Sequence, residues 1–432
     1  MSELNKKALY ATLGCKLNFA ETGSIAQLMA DKGIKRIVPG EKPDFCVVNT
    51  CSVTAEADRK CRRLIRSLHT RFPEAKIIVT GCYSQLQPVE VASIPGVTMV
   101  AGINDKMRIA DYCAGIADID PVVPSNTLRE FMPSCSRGDR TRYFLKVQDG
   151  CNYFCSYCTI PAARGRSRSG TIDQLVAQAE QVAAEGGKEI VLTGVNIGDF
   201  GHGTERSFSD LVEALNRVEG IERFRISSIE PNLLTDRIID IVAAGPRFMP
   251  HFHIPLQAGS DSVLKLMRRR YDTHLFAEKI ARVRQAIPHA FIGVDLIVGS
   301  RGETPELFAE SLEFVHSLPI SRLHVFPYSE RPGTRALTDI NMAVTPEEKH
   351  RRLELMLAES QRHQTEFSRS FEGTIRPVLI EHVSHGKTAG FTDNYLRVEL
   401  PEPRPDLANL VVNVRLDKLT PEGDKFTGTI IE

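Results

Sequence analysis

The chain has no excess of either charge: 54 Lys and Arg balance 54 Asp and Glu across 432 residues. A molecule with zero net charge exerts no long-range pull on polyanions, so any nucleic-acid site must be a local patch. Long apolar runs are equally lacking. The opening MSELNKKALYATLGC holds no stretch of signal-peptide length, and nothing approaches the ~18 apolar residues that span a bilayer. These absences predict a soluble, cytoplasmic protein with no membrane partner. There is no internal repeat or low-complexity tract. With 42% hydrophobic and 25% charged residues the composition is ordinary and globular, and the length suits about three domains. Ten cysteines without a secretory signal are read as reduced thiols, so those at special spacings are candidates for metal or catalysis rather than disulfides.

Residues 8–102 alternate short apolar runs (ALYATLG, FCVVNTC, KIIVTGC, TMVAG) with helical patterns, which predicts a parallel sheet with crossover helices. In the helix that carries Ala57, Cys61, Leu64, Ile65 and Leu68 on one face, Arg59, Lys60, Arg62, Arg63 and Arg66 make the other face basic. Residues 119–136 have no period and read as a linker. From Arg142 six strand-like runs follow, RYFLKVQ to RLHVFPY, mostly separated by helical segments with capping signals at Thr171 and Thr304. Six parallel strands with right-handed crossovers make an incomplete barrel, with its chemistry at the strands' C-terminal ends. Residues 370–432, all strand runs and turns, read as a small all-β barrel. The fold class is thus multidomain α/β, divided at 5–118, 137–367 and 370–432.

The strongest local signal is Cys151, Cys155 and Cys158 in C-x3-C-x2-C spacing directly after the first barrel strand. Three thiolates from one loop can hold three irons of a 4Fe-4S cluster and leave the fourth open. An open iron there suits the amino and carboxylate groups of S-adenosylmethionine. A zinc knot completed by a distant ligand, or a redox C-x-x-C pair, are the alternatives. Cys15, Cys51 and Cys82 each end a strand-like run, in LGC, NTC and TGC. If those strands are parallel, the thiols share the sheet edge where open α/β folds place ligands, the alternative being three separate buried cysteines. Cys46, Cys61 and Cys113 read as structural, and Cys135 is undetermined.

Together YFLKVQDGCNYFCSYCTIPAARGRSRS, EIVLTGVNIGDFG, ISSIEP, HIPLQAGSD and HVFPYSERPGT resemble the methylthiotransferases of the radical S-adenosylmethionine class over nearly the whole chain. The resemblance implies a radical-SAM barrel core, a TRAM-like RNA-binding barrel at residues 370–432, and two 4Fe-4S clusters. Cys151, Cys155 and Cys158 would hold the radical-generating cluster, and Cys15, Cys51 and Cys82 an auxiliary cluster carrying the sulfur to be transferred. S-adenosylmethionine would serve as methyl donor and radical source. The opening TLGCKLNFAET resembles the MtaB-type branch, which modifies N6-threonylcarbamoyladenosine at position 37 of tRNA; the isopentenyladenosine branch has GCQMN-like and the ribosomal-protein branch GCPKN-like openings. The partners implied are a tRNA anticodon stem-loop, an electron donor such as a flavodoxin or ferredoxin, and a sulfur source. Methylthiolation of isopentenyladenosine in tRNA or of a ribosomal-protein aspartate is the nearest alternative, and a non-catalytic iron-sulfur RNA-binding scaffold is the alternative of another class.

By the same resemblance Tyr157 and Gly187 would contact S-adenosylmethionine, the alternatives being plain packing and a helix C-cap; Ser228, Glu230 and Gln257 fall at ends of barrel strands and read as polar contacts to the same cofactor or as satisfied structural groups, while His253 and Asp295 read as structural. Arg164, Arg166 and Arg168 lie in a segment, 137–170, with seven basic and two acidic residues, a local patch for phosphates. Tyr328 and Arg331, with Ser329 between them, end the sixth strand and would contact substrate. Residues 371–432 carry seven basic and ten acidic residues, so Phe391, Tyr395 and Arg397 are offered there as stacking and hydrogen-bonding groups for unpaired bases. Two positions depart from the family pattern: Ala258 stands where Ser is common, and Ser300-Arg301 where Phe-Pro is common.

Overall fold

Strands β1 (Lys7–Thr12), β2 (Lys35–Arg36), β3 (Phe45–Thr50), β4 (Lys76–Gly81) and β5 (Val97–Val100) form one parallel sheet in the order β2-β1-β3-β4-β5. The computed structural model describes residues 6–431 except 124, 129, 137–140 and 384–385. Burial of Val47, Val48, Ile77, Ile78 and Val79 explains the unbroken apolar runs of β3 and β4: helices cover both faces, so no residue alternates outward. Helix α1 (Lys16–Asp31) follows β1, and α2 (Ala55–Arg71) crosses from β3 to β4 with Cys61, Ile65 and Leu68 buried. Thr54 caps α2, its hydroxyl accepting from Ala57 N at 3.1 Å. The edge strand β2, only two residues long, gave no periodic signal.

The central part is built on β6 (Ser134–Cys135), β7 (Arg142–Lys146), β8 (Gln148–Asp149), β9 (Arg168–Ser169), β10 (Glu189–Thr193), β11 (Arg223–Ile226), β12 (His251–Gln257), β13 (Phe291–Val298) and β14 (Arg322–Pro327). The order β6-β7-β10-β11 continues, through bridges Phe224–Phe248 and Ser228–His253, into β12-β13-β14. All six expected strands are present and parallel. Inside the segment read as a linker, Ser134–Cys135 adds an antiparallel strand to β7. Leu145, Ile190, Phe224, Phe252, Leu296 and Leu323 face the outer helices in one large apolar cluster, which leaves the alternate residues lining the inside of the barrel.

After the long helix Pro346–Arg369 come β15 (Ile375–Ile380), β16 (Ala389–Thr392), β17 (Arg397–Glu399), β18 (Val411–Leu419) and β19 (Phe426–Ile430), closed as β15-β16-β17-β19-β18 around Val378, Val398, Val414, Leu416 and Phe426. Closure removes the free strand edges. The multidomain α/β class with a C-terminal barrel is as expected. Among the described residues no helix is long and apolar enough to cross a membrane.

Candidate functional site

Cys15 stands at the N-cap of α1, Cys51 directly after β3, and Cys82 opens α3 (Cys82–Leu86) directly after β4. Because β1, β3 and β4 are adjacent and parallel, the three thiols come to one edge of the sheet. Two glycines make the approach possible. Gly14 has φ +99°, and a Cβ on it would stand 2.6 Å from Cys51 Cβ and 2.8 Å from Cys51 Sγ. Gly81 has φ +107°, and a Cβ there would meet Thr50 O at 2.3 Å. Burial pushes the Cys51 thiol up to about 12 and raises that of Cys15, which Arg164 pulls partly back. Thiols kept protonated in this way are poor nucleophiles at neutral pH. A thiophilic metal displaces such protons, so the set fits a metal cluster better than free-thiol chemistry.

The second set lies in the loop that follows β7 and β8, beyond the C-terminal end of the first barrel strand. The 151–158 loop turns at Phe154, which takes φ +52°, and three donors point at its sulfurs. Tyr153 N donates to Cys151 Sγ at 3.4 Å, Ile160 N to Cys158 Sγ at 3.4 Å, and Arg269 Nη1 to Cys155 Sγ at 3.1 Å. Burial pushes Cys151 up to about 11 and Cys158 up to about 12. Hydrogen bonds aimed at sulfur stabilise metal-bound thiolate, so these residues fit a 4Fe-4S cluster.

Arg269 is one residue that the sequence did not single out. In the run Arg268-Arg269-Arg270, Arg268 takes φ +58° and turns the next side chain inward, where it is 3% exposed. It pairs with Glu230 and reaches Tyr157 Oη at 3.5 Å. Burial holds the Glu230 carboxyl above its ordinary range, with Arg269 pulling against it. Tyr157 packs with Ala258, Leu264, Met267 and Tyr271. Gln257 takes φ +68° where the β12–β13 register breaks. That is a strained seat for a non-glycine residue. Ser228, two residues past β11, forms an isolated bridge with His253.

On the inner barrel face His253 Nε2 lies 2.7 Å and His324 Nδ1 3.3 Å from Asp295 Oδ1. Burial alone would raise this carboxyl; the two imidazoles outweigh it and hold it below the usual range. His324 was not singled out from sequence, because nothing local marks which face of a strand looks inward.

Several expected contacts are placed elsewhere. Gly187 precedes β10, at the end away from the cluster loop, where a Cβ would meet Tyr143 at 2.7 Å; the glycine at the cluster end of that strand is Gly194, packed against Gln148 O. Arg164 is 1% exposed and bound by Glu21, Asp149 and Asn18, which leaves it no face for a phosphate. Arg168 donates to Glu130 O, Arg164 O and Asp149; only Arg166 of the three is exposed. Arg331 is buried against Ser52 Oγ and Asp58 Oδ2, at 2.8 and 2.6 Å, and Ser329 Oγ accepts from Ala55 N. This loop therefore docks the barrel onto α2 beside Cys51. Tyr328 is 7% exposed, with its ring under the Lys349 ammonium.

Tyr395 and Phe391 stack on each other at 4.9 Å, with Arg142 over both rings and His251 4.6 Å from Tyr395. They join the C-terminal barrel to the central one and are not free for bases; Arg397 stays exposed. Of the two departures, Ala258 is fully buried in the Tyr157 cluster. Arg301 is tied to Glu330 and Ile340 O rather than open to RNA.

Residues 145–315 match the Radical SAM superfamily, and residues 7–102 match the family described as Uncharacterized protein family UPF0004. A Threonylcarbamoyladenosine tRNA methylthiotransferase MtaB of Bacillus subtilis is 37% identical over 424 residues, covering 95% of this chain and 93% of that protein. One of Thermotoga maritima is 36% identical over 416 residues, covering 95% and 94%. A tRNA-2-methylthio-N(6)-dimethylallyladenosine synthase of Syntrophomonas wolfei is 33% identical over 432 residues, covering 96% and 97%. In fold, the chain resembles the radical S-adenosylmethionine methyltransferase TsrM of Kitasatospora setae, with a TM-score of 0.57 at 14% identity, covering 89% of this chain and 80% of that one. On this similarity the chain belongs to the radical S-adenosylmethionine methylthiotransferase family, whose chemistry uses S-adenosylmethionine and a 4Fe-4S cluster.

Proposed function

We propose that the protein is a tRNA methylthiotransferase that converts N6-threonylcarbamoyladenosine, next to the anticodon, into its 2-methylthio derivative. The observation that carries this reading is the pairing of two three-thiol sets, one on each sheet, in a chain 37% identical over 424 residues to an MtaB methylthiotransferase. Cys151, Cys155 and Cys158 would hold the cluster that works with S-adenosylmethionine, and Cys15, Cys51 and Cys82 a second one. When bound, these groups supply the one-electron and sulfur-transfer chemistry that an unactivated adenine C–H requires. The chain's own part is positional. Arg269 braces Cys155 and Glu230, Tyr157 and Gln257 shape the wall beside them, and the Arg331 and Ser329 contacts fix the distance between the two sets.

The reading includes a cytoplasmic location, the three-part division at 5–118, 137–367 and 370–432, an external electron donor and an external sulfur source. Mass spectrometry of tRNA nucleosides from cells lacking and then expressing the protein tests it. Appearance of 2-methylthio-threonylcarbamoyladenosine supports the reading. A methylthio-isopentenyl product, the activity named for the Syntrophomonas relative, would replace it, and no new nucleoside would remove tRNA as substrate.

A further inference from the structure

We infer that Lys16 is the anion-binding group of a subsite for the carboxylate of the substrate's threonylcarbamoyl substituent, an assignment that rests on the substrate proposed above. A cavity of about 200 Å3 opens beside the Cys15 loop, lined among others by Gly14, Lys16, Arg142, Arg225, His251 and Tyr395. It lies where all three parts of the molecule meet. Three cations border it, and two are committed. Arg142 pairs with Glu381 at 3.1 Å and donates to Tyr395 Oη at 3.2 Å. Arg225 is held by Glu189 at 2.8 Å and by the carbonyls of Thr392 and Asp393, each at 2.8 Å.

The Lys16 ammonium, on the first residue of α1, makes no ion pair or hydrogen bond with any described residue. Asp295, on the inner barrel face, is taken by His253 and His324. A half-buried ammonium without a counter-charge is open to a ligand carboxylate, which would form a charge-assisted hydrogen bond with it. A second group in the same cavity is also incomplete. His251 is 6% exposed, and its Nδ1 is buried without a hydrogen-bond partner. Phe19, Phe144 and Val191 supply an apolar wall. One uncommitted cation, a neighbouring imidazole and an apolar wall suit a small hydroxy-acid group. On N6-threonylcarbamoyladenosine that group is the threonyl end, with its carboxylate, hydroxyl and methyl.

The test uses cluster-reconstituted wild type, Lys16→Gln and Lys16→Arg, titrated by fluorescence anisotropy with anticodon stem-loops carrying threonylcarbamoyladenosine or its threonyl methyl ester, and assayed for kcat and KM. Wild type should lose about tenfold to hundredfold in affinity for the ester, the scale of a hydrogen bond to a charged group. Lys16→Gln should lose the same factor for the acid, with KM raised and kcat kept, and should no longer distinguish acid from ester; Lys16→Arg should keep the preference. Wild type binding acid and ester alike would overturn the assignment without needing any variant. So would equal weakening of both by Lys16→Gln. If wild type forms methylthio product from threonylcarbamoyladenosine but ignores the ester change, only the Lys16 assignment falls. If it forms product solely from another nucleoside, the substrate reading falls with it.

Discussion

Arg164 of the central barrel meets Glu21 of α1 with Nη1 3.0 Å from Oε1, and both side chains are 1% exposed. Around this pair Lys106, Lys146, Arg168 and Asp149 complete a buried network of two acids and four cations. It joins the edge that carries Cys15 and Cys82 to the strand that leads into the Cys151 loop. The surplus positive charge lies beside the thiols of the first set, where metal-bound thiolates would be anionic.

Replacing Arg164 by Met should cost about 3 kcal/mol of unfolding free energy, since it removes charge-assisted hydrogen bonds to the buried Glu21 and Asp149 carboxylates. A urea midpoint for the variant within error of wild type would contradict the role given to the network. Burial alone would raise the Glu21 carboxyl, but Arg164, Lys106 and Lys146 hold it well below the usual range; Asp149 is likewise held down by Lys146, Arg164 and Arg168. Depressed folded-state values mean that the stabilisation is complete above the unfolded carboxyl value of about 4 and is lost as pH falls below it. Wild type should therefore lose stability below about pH 4 more steeply than Arg164→Met.

Alanine at Cys151, Cys155 and Cys158 should abolish cleavage of S-adenosylmethionine. Alanine at Cys15, Cys51 and Cys82 should leave some cleavage but stop methylthio transfer. Each triple variant should bind about four irons instead of about eight. Iron analysis with chromatographic assay of 5'-deoxyadenosine separates the two; equal loss of cleavage in both would contradict the division of labour.

Gly14→Ala places a methyl 2.6 Å from Cys51 Cβ on a backbone at φ +99°. The expected result is a loss of at least about 1 kcal/mol, with iron falling toward four per chain while the Cys151 set stays loaded. Retention of all the iron would show that the strand ends do not need this close approach.

Arg166→Ala should weaken binding of a tRNA stem-loop and reduce the salt slope of its affinity by about one. Replacing Arg168, whose guanidinium is already bound by Asp149 and three carbonyls, by Ala should instead lower thermal stability. The opposite pattern, read by salt-dependent anisotropy and melting, would reverse their roles.

Local spacing was enough to read the six barrel strands, the C-terminal barrel and the positions of both cysteine sets, because strand-end cysteines and a C-x3-C-x2-C loop are set by short-range geometry. It misplaced Gly187, since a glycine before a strand and one after it look alike until the strand's direction relative to the cluster loop is known. It read Arg164 and Arg331 as substrate contacts because a sequence shows charge but not its partner: Glu21 lies 143 positions from Arg164, and Asp58 lies 273 from Arg331.

The sequence by itself determined the element order, the two thiol sets and, through the matched families, the chemistry class. Only the tertiary structure decided which cations are spent inside the molecule and which remain for a ligand, and so distinguished Arg164, Arg168 and Arg331 from Arg166 and Lys16. The physical reason is that enclosure and ion pairing arise where separate elements pack together, and no residue's local sequence records what will stand opposite it.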